Sequence, residues 1–484
     1  MELFRRILFY IFLGLYLILC PLIVMYSLGY ILSPKQQEII QTGIISLASS
    51  PPGAYVYLGK SRYAQRTPTV INNLLPGKYS LRVTKKDYLP WSGEATVRAG
   101  KAAAFENIIL LPQEWEINYL SEGKFRELIP LSGTGYFLAS KSPQLGDYFV
   151  YDRKLKQMMP LVAPGHHLEE FRVANYFVNG QSPFILLQGS LKGVSGQIFV
   201  EVDSDPFTLQ DITPLFQDRP VKVFWDTRPE GNLFSLHKQA YINKLNVDSG
   251  ALYPKFLEEV KGFGAFNRFL YTMHKDNSLY KVSYDKSKSE ILESDFLSVI
   301  EADEPLEIYP LENGLMLFLG ARGSLAINQP PYRIAAEGVL GFEYHPENDK
   351  LCFWQRDKIG VMDFSEKIEN NGKSFEYPGP LWVYAAGKQI KQCSWVHNGS
   401  HIVFRDRDQI LFCDLNAGDS PRTVNLLRAH PNTGFFYEEE EGVLYFLDQK
   451  SSRLASIQLI PEGPVIPEPA SHPDEETLKE GDLN

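Results

Sequence analysis

Cysteine is scarce, with four in 484 residues, too few for a disulfide framework. Cys20 lies in an apolar segment. Cys352, Cys393 and Cys413 sit among apolar and aromatic neighbours and read as small buried hydrophobes; a single bridge between two of these three stays open. No CxxC or Cys/His zinc spacing occurs, and no EF-hand ladder of aspartates. Lys and Arg never run beyond two in a row, and the formal charge is −10. Phosphate backbones and anionic lipid surfaces require a basic face, so nucleic acid is not expected as a partner. Long amphipathic helices are missing too, from Gln113 to Ile460. The chain has aromatic residues instead: Phe, Tyr and Trp make up 13%. That favours an all-β protein packed on rings, at a length that suits two or three domains.

One uncharged apolar run stands out, from Ile7 to Leu32. About 20 apolar residues in a helix cross a hydrocarbon core about 30 Å thick. Arg5 and Arg6 precede the run, whereas Lys35 and Glu38 cancel behind it. The positive-inside rule then assigns 1–6 to the cytoplasm, 7–32 to a transmembrane helix and the bulk of the chain to the outside of a cell membrane. A cleaved signal peptide is the rival reading, with Ser27 and Gly29 as the small residues. A lipoprotein signal is rejected, because Leu19 precedes Cys20.

After a polar stalk at 33–42, strand signals crowd together over 43–112. Pro51-Pro52-Gly53 stops the first strand and Leu75-Pro76-Gly77-Lys78 carries turn chemistry. Tyr79, Leu81 and Val83 then alternate with Ser80, Arg82 and Thr84, the period of a half-buried strand. Ser50, Pro51-Pro52-Gly53-Ala54, Val56, Thr67-Pro68, Pro76-Gly77-Lys78-Tyr79 and Tyr88 appear in that order. Together they resemble a PEGA domain, although Pro52, Arg66 and Asp87 depart from the family pattern. The resemblance implies a small β-sandwich on a membrane-anchored prokaryotic protein, acting as a binding or spacer unit without catalysis. Tyr57, Tyr88 and Trp91 read as packing residues, with ligand stacking as the alternative.

From 113 to 460 a looser unit recurs at about 40–50 residues, the period of a four-stranded propeller blade. Each copy has an aromatic or apolar strand, a polar turn, a second strand, another turn, and a strand ending near Asp or Asn. The clearest copies are Trp395–Leu415, Phe342–Asp363 and Phe435–Leu459. Fainter ones span Tyr136–Asp152, Phe171–Asp203, Val221–Asp248, Gly264–Asp285 and Ile308–Asn328. The run Trp395-Val-His-Asn-Gly-Ser-His-Ile-Val-Phe404 resembles TolB-type propeller repeats. Eight candidates imply a ring of seven or eight blades, with two smaller β-domains as the alternative. Residues 461–484 are Pro-rich and acidic and read as a disordered tail.

Signatures of chemistry fail on their spacing. Gly372-Lys373-Ser374 echoes the end of a phosphate loop, but Lys367 stands where its first Gly is required. Gly193-Val-Ser195-Gly196 is one residue short of a nucleophile elbow. His397 and His401 flank an Asn-Gly turn and read as exposed, and His166-His167 as a solvated loop. Glu438 to Glu441 reads as a solvated acidic edge. The pair Asp303/Glu304 would serve a glycosidase only opposite a second carboxylate. No catalytic, cofactor-binding or metal residue is assigned, and no cofactor is called for.

The expectation is therefore an all-β protein with one N-terminal transmembrane helix, a PEGA sandwich and a β-propeller. It would sit at the cell surface, touch the bilayer through 7–32 and bind a protein or glycan of the envelope without catalysis. The alternatives are an envelope polysaccharide hydrolase or lyase using the propeller channel, and a structural component with no discrete ligand.

Overall fold

A computed structural model describes residues 2–27, 29–32, 39–131, 134–178, 183–216, 218–225, 231–293, 306–312, 314–328, 334–365, 368–370, 374–376, 379–417, 421–431 and 433–461. The acidic tail expected at 461–484 lies outside these, apart from its first residue. Two compact units emerge, one centred on residues 1–115 and the other on 116–457.

The first unit opens with α1, Glu2–Ser27. Within it Ile7–Ser27 is long and apolar enough to cross a membrane, with a mean hydropathy of 2.7. The helix does not reach Leu32 as the apolar run suggests. Gly29 takes φ +81° and its N–H donates to Tyr26 O, a left-handed stop. Tyr30–Leu32 then forms a strand paired with Ile39–Gln41, residues read from sequence as part of a stalk.

Beyond lies a sandwich of two sheets. One holds Thr69–Leu74, Gly43–Ser50 and Ala102–Ile109 in that order, the other Ser61–Arg66, Tyr55–Leu58, Gly77–Thr84 and Trp91–Val97. Ile45, Val56, Leu81, Val83, Trp91 and Phe105 fill the space between them. Leu81 and Val83 are buried while Ser80 and Arg82 are exposed, as the alternation requires. Two of the family-signature residues meet in space: Thr67 Oγ1 accepts the Ala54 N–H at 3.0 Å, and it also lies 2.6 Å from the Oγ of Ser49, the neighbour of Ser50.

The second unit is a propeller. Its described residues form eight four-stranded antiparallel blades, spanning 127–160, 172–211, 222–258, 260–293, 306–336, 341–384, 390–428 and 435–458. Each of the eight repeats seen in the sequence falls in its own blade. Blade 6 carries an extra hairpin, Ile368–Asn370 with Ser374–Glu376. Blade 8 has only three strands of its own, and Asn118–Lys124 supplies the fourth by pairing with Arg453–Gln458.

Alternate residues of one strand serve two interfaces. Ile185 and Leu187 of blade 2 join Leu138 and Val150 of blade 1, whereas Leu186 joins Trp225 and Leu245 of blade 3. Phe234 and Phe263 link blades 3 and 4, Met273 and Phe318 blades 4 and 5, and Leu317 and Phe353 blades 5 and 6. The three cysteines, all free thiols, lie in one apolar cluster with Trp395 between blades 6 and 7. Phe137 and Tyr151 of blade 1 pack on Phe436 and Tyr445 of blade 8, which closes the ring. Fully burying one such Phe or Leu stabilises by about 2 kcal/mol.

The Asp found at or just beyond the end of several third strands has a physical role. Asp152 Oδ1 accepts the Lys154 and Leu155 N–H groups at 2.8 and 3.0 Å. Asp285 and Asp363 hold Ser287 and Ser365 in the same way, at 3.0 Å. These are Asx turns, which tighten the reversal into the fourth strand.

Blades 4 and 5 share one eight-stranded sheet, because their first strands pair in parallel at Gly262 with Leu306 and Phe263 with Glu307. A Cβ on Gly262 would collide with the Leu306 carbonyl oxygen, and one on Gly264 with that of Ile308. Gly262→Val is therefore expected to lower the unfolding free energy by about 3 kcal/mol through overpacking. Urea unfolding of the detergent-solubilised chain measures this; an unchanged midpoint would refute the close approach.

Candidate functional site

The first strand of each blade faces its neighbours' first strands, so side chains from several blades converge there. Lys222 opens blade 3, Phe263 belongs to blade 4, Glu307 and Tyr309 to blade 5, and Phe342 to blade 6. Lys222 Nζ lies 3.7 Å from Glu307 Oε2. It also sits 4.6 Å from the Tyr309 ring centroid and 5.7 Å from that of Phe263. Tyr309 Oη donates to Glu307 Oε2, and Phe342 meets the Tyr309 ring edge-on at 4.6 Å.

Lys222 Nζ is buried and has no hydrogen-bond partner. Burial pulls the ammonium pKa down, and the Glu307 carboxylate opposes that shift without cancelling it. Burial and then the Glu307 charge push the Tyr309 phenol far up, so it stays a neutral donor. Phe263 is fully buried in the packing between blades 3 and 4, so the cluster offers one cation, one carboxylate and the two half-buried rings of Tyr309 and Phe342. Such a set stacks on a ring or apolar face and orients polar groups.

Two further carboxyls occupy first strands. Ser394 Oγ donates to Glu343 Oε1 at 3.2 Å, and the Trp395 indole donates to the Glu343 carbonyl at 3.0 Å. Burial pushes the Glu343 carboxyl up to about 7, although the Ser394 hydroxyl and the Trp395 backbone N–H pull it down. Glu127 is raised by burial against the pull of Arg126. Burial, and next the Glu127 charge, raise the Tyr176 phenol on blade 2.

The histidines differ from their sequence reading. His401 is buried rather than exposed: Nδ1 lies 2.7 Å from Ser400 Oγ, Nε2 3.3 Å from Asp414 Oδ1, and the ring stacks on Phe412 at 4.9 Å. Burial, with a minor push from His397, lowers its pKa to about 3, so the imidazole is neutral. His397 is half-buried and its N–H donates to Glu439 Oε2 at 3.2 Å. Glu438 is not a solvated edge either. Its side chain is 13% exposed and pairs with Arg153 of blade 1, which also lies over the Phe436 ring at 4.9 Å.

His166 and His167 stay in a loop with rings 4.3 Å apart, and no metal-holding cluster occurs among the described residues. Ser195 lies in the strand Val194–Glu201, and its Oγ accepts from the Arg219 guanidinium at 2.6 Å. Trp91 is 1% exposed and packs edge-on against Phe105 at 5.8 Å, whereas Tyr57 and Tyr88 are half-buried. Asp303, Glu304, Lys367, Gly372 and Lys373 lie outside the described residues. Sequence reasoning missed Lys222, Glu307 and Tyr309; the lone signal was their position at the head of a repeat.

Residues 42–108 match the PEGA domain family. Comparison with curated proteins finds no match. Among solved structures, the chain is similar to the C-terminal WD40 domain of Sif2, with 9% identity and a TM-score of 0.47 over 70% of this chain and 97% of that one. The Cps50 (Swd1) β-propeller domain of Myceliophteria thermophila aligns at 10% identity and TM-score 0.37, over 71% and 99%. The computationally designed Ika8 protein aligns at 11% and 0.41, over 69% and 99%. The propeller assignment rests on the strand pairing of this chain.

Glu343 gives this unit a pH signature. Its carboxyl holds a proton more tightly folded than unfolded, so stability should fall as pH rises from about 4.5 to about 7 and then level. Glu343→Gln should flatten that slope in equilibrium unfolding across the same range. An identical slope in the variant would show that another group carries it.

Proposed function

We propose that this chain is a single-pass, non-catalytic binding scaffold of the cell envelope, with its N-terminus in the cytoplasm. α1 anchors it, the PEGA domain spaces it from the bilayer, and the propeller binds a protein or glycan partner. The observation that carries this reading is the cluster of Lys222, Glu307 and Tyr309 on the inner strands. A buried ammonium without a hydrogen-bond partner costs stability, and such a cost fits a group kept for a ligand rather than for packing. Aromatic rings beside charged groups suit a sugar or peptide, which presents both apolar faces and polar edges. Arg5 and Arg6 ahead of the apolar helix support the orientation.

The test uses the full-length chain in detergent, with envelope glycan fragments and envelope extract. Saturable retention without product release is expected. Lys222→Met and Tyr309→Phe should each weaken it by about tenfold or more, the cost of losing a buried polar contact, with melting no lower than the parent's. Release of cleaved product would replace the scaffold with a hydrolase or lyase. Binding that ignores both substitutions would move the ligand elsewhere on the ring.

A further inference from the structure

The PEGA unit carries charge opposite to the whole chain. Residues 43–112 contain nine Lys and Arg against three acids, Asp87, Glu94 and Glu106, in a protein of net charge −10. The end of the sandwich nearest the helix is fixed by hydrogen bonds. Thr42 N and Oγ1 both donate to Gly29 O at 2.8 Å, and Gly29 lies two residues past the end of α1. Two residues span at most about 7 Å, so the start of the domain sits close to the end of the helix.

Three basic residues occupy that same end. Gly100 N donates to Thr42 O at 3.0 Å, which seats the exposed turn from Arg98 to Lys101 beside it. Gly77 pairs with Val97 and Gly43 with Leu74, which brings the turn from Leu74 to Lys78 to the same place. Leu75 at the tip of this turn is 39% exposed. Among the described residues Glu94 is the acid paired there, 3.5 Å from Lys78, with both side chains open to solvent. Asp87 lies at the opposite end, where neighbouring Tyr88 pairs with Pro112. Tyr26, 68% exposed in the last turn of α1, is a residue type that favours the headgroup layer.

The geometry points to a membrane-docking surface: Lys78, Arg98 and Lys101 rest on anionic lipid headgroups of the bilayer that α1 crosses, with Leu75 dipping between them. The inference rests on the reading of α1 as an anchor. Charge complementarity carries it, because the basic end lies within about one Debye length, roughly 8 Å, of the interface. Each Lys or Arg at that distance biases contact with an anionic surface by about fivefold. The domain is then held at a fixed tilt, rather than swinging on its short connection.

The full-length protein is reconstituted in vesicles of phosphatidylcholine, with and without phosphatidylglycerol. Amide exchange is read in the turns 74–78 and 98–101. Exchange is expected to slow by about fivefold or more in the anionic vesicles. High salt should reverse the effect, and the variant K78Q/R98Q/K101Q should lack it while melting like the parent. Equal exchange in the two lipids overturns the proposal. So does slowing by soluble polyphosphate on phosphatidylcholine vesicles without a response to phosphatidylglycerol, which would assign the surface to a free phosphate polymer. Alkaline extraction of the same vesicles separates the two readings. A chain that washes out refutes the anchor and the docking with it; a retained chain with equal exchange refutes the docking alone.

Discussion

A four-stranded blade has two apolar faces and no way to hide either alone. Everything in the larger unit follows from that constraint. Each blade covers one face of the next, and the series ends only when the last blade covers the first. Phe137, Tyr151, Phe436 and Tyr445 supply the apolar part of that closure. Asn118–Lys124 supplies the missing strand. Arg153 and Glu438 add an ion pair across the same seam. With the circle complete, the first strands converge on a common axis, and Lys222, Glu307 and Tyr309 are brought together from blades that do not adjoin in sequence.

Charge is spread unevenly along the chain, and its mean conceals this. The small sandwich is basic, while the sequence as a whole is acidic. Within the propeller, acids recur at the ends of third strands because turns need them, so they are structural before they are electrostatic. An overall charge of −10 therefore argues against nucleic acid for the ring and says little about the small sandwich.

Local chemistry was readable and remote partnership was not. The alternation of Tyr79, Leu81 and Val83, the turn at Pro51-Pro52-Gly53 and the Asp near the end of several repeats are fixed within a few residues, and the structure follows them. The end of α1 was misplaced because Tyr30–Leu32 is as apolar as the helix before it, and the stop comes from the backbone at Gly29. His401 looked like a turn residue because it follows Asn398-Gly399. Yet the second strand of that blade, His401–Asp406, is buried on both faces, so its polar residues are interior too. Glu438 seemed solvated because Arg153 lies far away in the chain. Lys222 gave no warning for the same reason, since its neighbours come from two other blades.

The strand that zips the circle precedes all the blades, and its mate, Arg453–Gln458, is the last described strand of the ring to be made. Seven blades can assemble in order as they emerge, each on the one before. Until synthesis reaches the mate, however, Asn118–Lys124 has its backbone groups unmatched. Bringing together ends some hundreds of residues apart costs about 5 kcal/mol of chain entropy when the intervening chain is loose. Prior stacking of the intermediate blades lowers that cost by shortening the gap to one blade's width. Maturation should thus be sequential and then abrupt, with the unsealed crescent as the species most exposed to proteases and to pairing with another nascent chain.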